Sequence, residues 1–234
     1  MPTVLITRPE PEASATAARV AALGHVPLVD PMLAIRPLDG PPLDLSGVQA
    51  LVCTSVNGVR ALAARTAERT PPLYAVGART ASEARAVGFW DVIDADGDVG
   101  ALAALLAGRV DPARGALLHA AGAEIAGDLA GALAPHGIAL RREVLYEAVT
   151  ADALMPETAR ALDMGGLSFV LLFSPRTART FARLTGLIRP EGCLSAVTAL
   201  CLSDRVAEAA GAGWAGVRVA RRPDQESLLD LLPR

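Results

Sequence analysis

Residues 3–35 read TVLITRPEPEASATAARVAALGHVPLVDPMLAI, and apolar and polar runs alternate along this stretch. A short apolar run, Val4 to Ile6, precedes a turn and an Ala-rich stretch, and a second apolar run, Val26 to Val29, follows a break that contains glycine. A strand, a helix and a second strand in this order are typical of a parallel sheet that is covered by helices. The stretch therefore predicts an α/β fold.

The pattern returns at residues 115–149, which read GALLHAAGAEIAGDLAGALAPHGIALRREVLYEAV. Two further pairs of segments resemble each other in the same order, so the chain repeats three segments. We name them A1 (3–35), B1 (48–62), C1 (71–106), A2 (115–149), B2 (168–181) and C2 (197–232). Two similar small domains explain the 234 residues better than one large domain.

Apolar runs within the segments predict the strands, and apolar residues at helical spacing predict buried faces of the helices between them. Two such faces are Ile125, Leu129 and Leu133, and Leu102, Leu105 and Leu106. The predicted strands are Val4–Ile6, Val26–Val29, Ala50–Cys53, Leu73–Val76, Val92–Ile93, Ala116–His119, Ala139–Tyr146, Phe169–Phe173, Thr198–Leu202 and Val217–Ala220.

The segments combine into domains either in simple tandem or with the chain crossing twice, so that A1 joins B2 and C2. Crossing is favoured because A1 and A2 both end in extended runs, Met32 to Arg36 and Val144 to Thr150, which can pair as a two-stranded ladder. The crossed arrangement predicts a first domain of residues 1–36 and 150–234, a second domain of residues 40–146, and linkers at 36–39 and 147–151.

The composition excludes several classes of chemistry. All 22 cationic side chains are arginines, so a lysine Schiff base and a P-loop lysine are both absent. The formal net charge is −3, and no basic run exceeds pairs such as Arg141–Arg142, which argues against a nucleic-acid partner.

Cysteines and histidines are scattered, without the spacing of a metal site or a disulfide framework. The first twelve residues hold only Val4 to Ile6 as an apolar run, which is too short for a signal peptide, and no stretch is long enough to cross a membrane. We expect a cytoplasmic protein with no membrane association.

Ligands of parallel α/β sheets bind at the carboxyl ends of the strands, where helix N-termini offer unpaired N–H groups. The loops predicted at these ends are rich in hydroxyl groups, glycine and arginine and poor in carboxylates, which favours an extended polyanion as ligand. These loops are Thr7–Pro9, Thr54–Gly58, Gly77–Thr80, Ala120–Gly122, Ser174–Thr177 and Ser203–Arg205.

Each loop residue has a plain structural alternative. A Ser, Thr, Asn or Asp before a helix usually caps it, and an arginine is usually a solvated surface charge. His119, predicted to end a strand, is either a packing residue or an acid–base group. Tyr146, near the predicted ladder, is either an interfacial aromatic or a proton donor.

The order and spacing of six groups of motifs make the sequence resemble the uroporphyrinogen-III synthases of tetrapyrrole biosynthesis over nearly the whole chain. The motifs are Thr7-Arg8-Pro9 with Leu23-Gly24-His25, Thr54-Ser55-Val56-Asn57-Gly58-Val59, Val76-Gly77-Ala78-Arg79-Thr80-Ala81 with Gly88, Tyr146, Phe173-Ser174-Pro175, and Ser203-Asp204-Arg205 with Ala207, Ala210 and Gly213.

The resemblance implies two α/β domains joined by a two-stranded β-ladder, with the active site in the cleft between them. It implies hydroxymethylbilane, a linear tetrapyrrole with eight carboxylates, as the substrate, and neither metal nor cofactor. The family removes the ring A hydroxyl as water, forms a spiro intermediate through ring D, and closes the macrocycle with ring D inverted, which gives uroporphyrinogen III.

The resemblance also assigns roles to residues. Tyr146 corresponds to the family's catalytic tyrosine, and Ser55, Thr80, Ser174 and Ser203 fall where the family contacts the substrate's acid groups. Asp204 and Arg176 depart from the neutral and small residues common at their positions. The loops add further substrate-binding candidates: Arg8, Thr54, Asn57, Gly77, His119, Arg176 and Thr177.

The predicted partner is thus a small molecule, with a possible transient hand-over from the preceding enzyme of the pathway, and we expect a monomer because a closing two-domain enzyme needs room to move. The alternative is a non-catalytic two-domain protein that binds a tetrapyrrole or another polyanion, either a sensor or an inactive paralogue. The isomers formed from hydroxymethylbilane distinguish the two.

Overall fold

A computed structural model describes residues 1–124, 127–188, 192 and 194–233. The strands are β1 (Thr3–Ile6), β2 (Val26–Val29), β3 (Leu33–Pro37), β4 (Val48–Cys53), β5 (Leu73–Ala75), β6 (Val92–Asp94), β7 (Ala116–Gly122), β8 (Leu140–Thr150), β9 (Phe169–Leu172), β10 (Thr198–Cys201) and β11 (Gly216–Val219). The helices are α1 (Glu12–Ala22), α2 (Val56–Arg65), α3 (Ala78–Ala86), α4 (Val99–Arg109), α5 (Leu129–Leu133), α6 (Pro156–Asp163), α7 (Pro175–Ile188), α8 (Asp204–Ala210) and α9 (Gln225–Leu229).

Contacts between Cα atoms divide the chain into two compact units. The terminal unit comprises Met1–Ala34 and Val149–Arg234, and the inserted unit comprises Ile35–Ala148. The predicted domains, 1–36 with 150–234 and 40–146, and the predicted linkers at 36–39 and 147–151 stay predictions.

The terminal unit is built on a five-stranded parallel sheet with the order β11-β10-β9-β1-β2. Segment A1 supplies β1 and β2, B2 supplies β9, and C2 supplies β10 and β11. The six-stranded sheet has the order β3-β8-β7-β4-β5-β6, in which A2 supplies β7 and β8, B1 supplies β4, and C1 supplies β5 and β6. Both sheets therefore place the five strands of one A–B–C set in the same order, which confirms the predicted α/β fold with two crossings.

The extended exits pair as predicted. Sheet order places β3 beside β8, the Leu38 N–H donates to the Leu145 carbonyl at 2.8 Å, and the Ala151 N–H donates to the Met32 carbonyl at 3.1 Å. As residue numbers rise in one strand they fall in the other, so the two strands run antiparallel.

Helices cover both faces of each sheet, because successive side chains of a buried strand point to opposite faces. In the terminal unit, Leu5 packs with the cluster that contains Phe181 of α7, whereas Val4 and Ile6 pack with the cluster that contains Val20 of α1. In the inserted unit, α2 and α3 pack on one face and α4 and α5 on the other. Continuous apolar strands such as β4 are the sequence signature of this two-sided burial.

Two predicted elements differ in the structure. The run at Ala120–Gly122 continues β7, whereas the sequence predicted a turn there; His119 consequently lies within the strand, paired with Val52 and Arg142. The helix predicted over Ile125, Leu129 and Leu133 begins at Leu129, because Asp128 accepts the Gly131 N–H at 2.9 Å and caps it. Ile125 lies outside the described residues.

The predicted face of Leu102, Leu105 and Leu106 lies in α4, where Leu102 and Leu106 are fully buried. No helix in the described part of the chain combines the length and the apolar character that crossing a membrane requires.

Candidate active site

The inserted unit has a point where neighbouring parallel strands send their helices to opposite faces of the sheet. After β4 the chain enters α2, which packs on one face, and after β7 it enters α5, which packs on the other. Between two such strands the loops diverge and leave a crevice at their carboxyl ends, where ligands of doubly wound sheets bind. The predicted residues Thr54, Ser55 and His119 belong to these two strands or to the loop after β4.

Ser55 and Tyr146 meet at this point. The Ser55 Oγ atom lies 2.7 Å from the Tyr146 hydroxyl oxygen and accepts the Gly58 N–H at 2.9 Å, so Ser55 also caps α2. Tyr146 comes from β8, and its carbonyl accepts the Ala123 N–H at 2.8 Å. Backbone and side-chain hydrogen bonds thus fix this half-buried phenol from two directions.

Gly122 provides the space for the Tyr146 ring. The two residues are register partners between β7 and β8, and a Cβ atom at Gly122 would lie 2.8 Å from Tyr146 Cζ and 3.0 Å from its hydroxyl oxygen. Real Cβ contacts are essentially never this short, so any larger residue at this position must displace the ring. The sequence analysis placed Gly122 in a candidate loop and gave it no role, whereas the structure shows that it makes room for the Tyr146 ring.

Thr54 and His119 form the second pair. The Thr54 Oγ1 atom lies 3.1 Å from His119 Nε2, and the imidazole is only 3% exposed. Burial, with a smaller contribution from the positive charge of Arg142, lowers the pKa of His119 to about 4. At neutral pH the His119 imidazole is therefore uncharged, so its predicted contact with a substrate carboxylate would be a hydrogen bond and not an ion pair.

Arg142 of β8 contacts the backbone at the end of β7. Its guanidinium donates to the carbonyl oxygens of Gly122 at 2.7 Å and of Ala123 at 2.9 Å. These are the residues that border the Tyr146 ring and carbonyl. Arg142, which the sequence prediction treated only as part of a basic pair, thus holds the backbone around the phenol.

The depressed pKa of His119 predicts acid sensitivity. The unfolded chain protonates His119 near its ordinary pKa of about 6.5, whereas the folded chain protonates it near 4, so the unfolded state binds more protons between these values. We expect the free energy of unfolding to fall, by at most about 3 kcal/mol from this group, as the pH drops from about 6.5 to 4.

Denaturant unfolding at several pH values measures this effect. His119→Gln, which removes the titrating group, is expected to flatten the dependence that the wild type shows. Equal slopes for His119→Gln and the wild type would contradict the assignment.

The remaining predicted residues of the inserted unit lie in the first turns of two helices. Asn57 is the second residue of α2, Gly77 precedes α3, and Thr80 is the third residue of α3, where it is 5% exposed. Among the described residues, neither Asn57 nor Thr80 has a side-chain hydrogen bond. Gly77 has an extended backbone, and the nearest atom to a Cβ placed there lies 3.7 Å away, so its backbone conformation does not require glycine.

The terminal unit has the same kind of point between β1 and β9. Thr7 follows β1, is fully buried, and donates its hydroxyl to the Leu171 carbonyl at 2.6 Å. Arg8 then lies with its guanidinium carbon 4.4 Å from the centre of the Phe173 ring and donates to Gln225 Oε1 at 2.8 Å. The unit's own side chains thereby position the Arg8 charge at the carboxyl end of β1.

Ser174 begins α7. Its Oγ atom accepts the Thr177 N–H at 3.1 Å and lies 2.8 Å from Thr177 Oγ1, so both predicted hydroxyl groups take part in the cap. Thr177 is only 1% exposed, whereas Ser174 and Arg176 are partly exposed. Ser203 precedes α8 without a side-chain capping bond, and Asp204 is the exposed first residue of that helix.

The family model of uroporphyrinogen-III synthase HemD matches residues 14–230. The chain belongs to the uroporphyrinogen-III synthase family. A match over nearly the whole chain includes both units, so the resemblance read from the motifs is confirmed. Uroporphyrinogen-III synthases are lyase-type cyclases of tetrapyrrole biosynthesis, and the chain is an enzyme of this class that acts on a small molecule.

Solved structures show the same fold. The uroporphyrinogen-III synthetase of Helicobacter pylori is 18% identical, with a TM-score of 0.65, 99% of this chain covered and 98% of that chain covered. A mutant uroporphyrinogen III synthase of the extremely thermophilic bacterium Thermus thermophilus is 19% identical, with a TM-score of 0.53 and coverages of 98% and 96%. No curated protein sequence matches the chain.

Proposed function

We propose that the chain converts hydroxymethylbilane to uroporphyrinogen III and that the Tyr146 phenol donates the proton that lets the ring A hydroxyl leave as water. The observation that carries this assignment is the 2.7 Å contact of Tyr146 with Ser55 at the carboxyl end of β4. This contact supports the assignment because it holds the Tyr146 hydroxyl near the strand ends at which doubly wound sheets bind their ligands, where a phenol can act as a general acid.

The proposed reaction begins with that proton transfer. The phenol proton passes to the departing hydroxyl, the carbon–oxygen bond breaks, and water and an azafulvenium cation form. The substituted carbon of ring D attacks the cation to give the spiro intermediate. Ring D is then released, rejoins inverted, and loses a proton, which restores the Tyr146 phenol, so the sum of the steps is closure of the bilane with release of one water.

The remaining task is positioning, because the cation also closes directly to the type I isomer. Holding the two ends of the bilane in the geometry of spiro closure raises the effective concentration of the substituted ring D carbon at the cation. Spiro closure is then faster than direct closure. We propose that hydroxyl groups, N–H groups and arginines at the carboxyl ends of the strands bind the acetate and propionate groups. The proposed contacts are Arg8, Thr54, Asn57, Gly77, Thr80, Ser174, Arg176 and Ser203. Ser55, His119 and Thr177 support the neighbouring side chains Tyr146, Thr54 and Ser174.

Two of these hydroxyl groups lend themselves to substitution. We expect Thr80→Ala and Ser174→Ala each to raise KM for hydroxymethylbilane about threefold to tenfold, the value of one lost hydrogen bond, with little change in kcat. Ser174→Ala is also expected to lose about 1 kcal/mol of stability as a helix cap. Steady-state kinetics measures KM, and urea unfolding measures the stability of Ser174→Ala. An unchanged KM in both variants would show that Thr80 and Ser174 have only structural roles.

We also propose that the chain acts as a cytoplasmic monomer that takes its substrate directly from the enzyme that forms it. The support is chemical: a molecule with eight carboxylates does not cross a lipid bilayer unaided, so producer and consumer share a compartment. The bilane closes spontaneously in water, so a short transfer path limits loss to the type I isomer.

The rate of substrate consumption tests the proposed function. With the protein at a hundredth of the substrate concentration, a catalyst consumes hydroxymethylbilane much faster than buffer does, over many turnovers. A protein that only binds the bilane consumes at most one equivalent and leaves the remainder to close at the spontaneous rate, which would overturn the proposal.

A further inference from the structure

We infer that Ser55 is a positioning residue that donates its own hydroxyl proton to Tyr146 and so leaves the phenol proton free for the substrate. The inference rests on the proposed function of Tyr146 and extends it. It also changes the role of Ser55, which the sequence predicted as a contact for a substrate carboxylate.

The direction of the hydrogen bond is inferred from the other bond that Ser55 makes. A serine hydroxyl has one proton to donate and two lone pairs that accept. One lone pair accepts the Gly58 N–H at 2.9 Å. Among the described residues, the Tyr146 hydroxyl oxygen, at 2.7 Å, is the one acceptor in hydrogen-bonding range of the Ser55 proton. Either direction leaves one of the two hydroxyl protons without a protein acceptor in the described chain, but the Gly58 N–H already donates to Ser55 Oγ, and a hydroxyl that accepts one hydrogen bond becomes a stronger donor of its own proton.

This arrangement matters for acid catalysis. A phenol that donates to Ser55 has its proton engaged inside the protein, and that bond must break before any transfer to the leaving hydroxyl. A phenol that accepts from Ser55 keeps its proton outward, and the incoming hydrogen bond stabilises the negative charge that grows on its oxygen as the proton leaves. The Ser55 hydroxyl therefore lowers the barrier without touching the substrate.

The start of α2 strengthens the donor. Ser55 caps a ten-residue helix, whose aligned peptide dipoles place partial positive charge at its N-terminus. The Gly58 N–H that points at Ser55 Oγ draws electron density from the hydroxyl, and hydrogen bonds in a chain polarise one another. The phenol oxygen thus lies at the end of a chain of donors that begins in the helix backbone.

Gly58 also fixes the distance between the helix and the strand. A Cβ atom at Gly58 would lie 2.6 Å from the Ala120 carbonyl oxygen of β7, so α2 approaches β7 as closely as only glycine allows. Since β7 pairs with β8, this approach sets the position of Ser55 relative to Tyr146. The geometry of the donor chain is therefore built into the packing of three elements.

Kinetics separates this role from capping and from substrate contact. Ser55→Gly keeps most of the cap and removes the hydroxyl, and we expect kcat to fall about tenfold with KM unchanged. Ser55→Thr, which retains the donor, is expected to keep kcat within about threefold of the wild type. Asp98→Gly removes the cap of α4, where Asp98 accepts the Ala101 N–H, and serves as the control with unchanged kcat.

Ultraviolet resonance Raman spectra of the substrate-free protein test the bond itself. The tyrosine doublet reports whether a phenol donates or accepts a hydrogen bond, and with two tyrosines in the chain, subtracting the Tyr146→Phe spectrum isolates Tyr146. We expect an acceptor signature in the wild type and in Ser55→Thr, and its loss in Ser55→Gly.

A donor signature for Tyr146 in the wild type would overturn the inference, as would a Ser55→Gly variant that changes only KM. Because the spectra need no turnover, they decide the direction of the bond even if the protein fails to consume hydroxymethylbilane. A protein that fails to consume hydroxymethylbilane overturns the proposed function but does not change the direction of the hydrogen bond. The failure of the proposed function and the failure of this inference are therefore distinguishable.

Discussion

Replacing Tyr146 with phenylalanine is expected to slow the cyclisation of hydroxymethylbilane on the order of 100-fold, the usual contribution of a positioned general acid. The substitution keeps the ring beside Gly122 and removes only the hydroxyl that lies 2.7 Å from Ser55. KM is expected to change little, because the phenol acts on the departing hydroxyl and not on the substrate's carboxylates. Single-turnover kinetics with protein in excess measures the step directly.

Folding is the control for this variant. The lost hydrogen bond to Ser55 is worth about 1 kcal/mol, so urea unfolding of Tyr146→Phe is expected to remain cooperative and only slightly weakened. Tyr74→Phe removes the hydroxyl of the other tyrosine, in β5, and is expected to keep the wild-type rate. A Tyr146→Phe protein that cyclises as fast as the wild type would remove the acid role.

Gly122→Ala is expected to produce a comparable loss through geometry alone. The new methyl carbon would lie 2.8 Å from Tyr146 Cζ, so the ring must move away and the bond to Ser55 must break. Displacing a catalytic group by about 1 Å costs on the order of 100-fold in rate. Overpacking between β7 and β8 adds a stability loss of about 1–3 kcal/mol, which thermal or urea unfolding measures.

Gly108→Ala is the matched control. Gly108 lies in α4, and a Cβ atom there meets nothing within 4 Å, so alanine is expected to stabilise the helix by about 0.5–1 kcal/mol without changing the rate. A second variant, Gly122→Ala combined with Tyr146→Phe, is expected to be no slower than Tyr146→Phe alone. A Gly122→Ala enzyme with full activity would show that the position of the phenol is not critical.

The architecture could be predicted from the sequence because each segment carries its own signal. Apolar runs such as Leu51–Cys53 mark strands buried on both faces, and the repeated order of A, B and C segments predicts two sheets of one design. The extended exits that end in Arg36 and Thr150 predicted the paired strands β3 and β8. These are local patterns that repeat, so a single sequence displays them.

The end of β7 could not be predicted, because Ala120, Ala121 and Gly122 are small residues typical of a turn. Tertiary contacts restrict the space here, because the Ala120 carbonyl lies against Gly58 of α2 and Gly122 lies against the Tyr146 ring on the neighbouring strand. No local pattern reports such contacts. The one signal in the sequence was the resemblance that singled out Tyr146, from which a search for glycine on the adjoining strand would have found Gly122.

The individual roles of the polar residues were also beyond local patterns. Ser55 and Ser174 look alike before their helices, and each caps one, yet in the described chain Ser55 alone of the two lies beside a tyrosine hydroxyl. His119 looked available for acid–base chemistry at a strand end, whereas burial within β7 lowers its pKa to about 4 and keeps it neutral. The burial of a side chain and its hydrogen-bond partner decide these roles, and both are properties of the folded chain.

The isomer composition of the product tests the central claim most directly. Hydroxymethylbilane is supplied to a catalytic amount of the purified protein, the porphyrinogens are oxidised to porphyrins, and chromatography separates the type I and type III isomers. If the chain is a uroporphyrinogen-III synthase, we expect type III to dominate and its share to rise with protein concentration. A product that stays type I at every protein concentration would contradict this expectation.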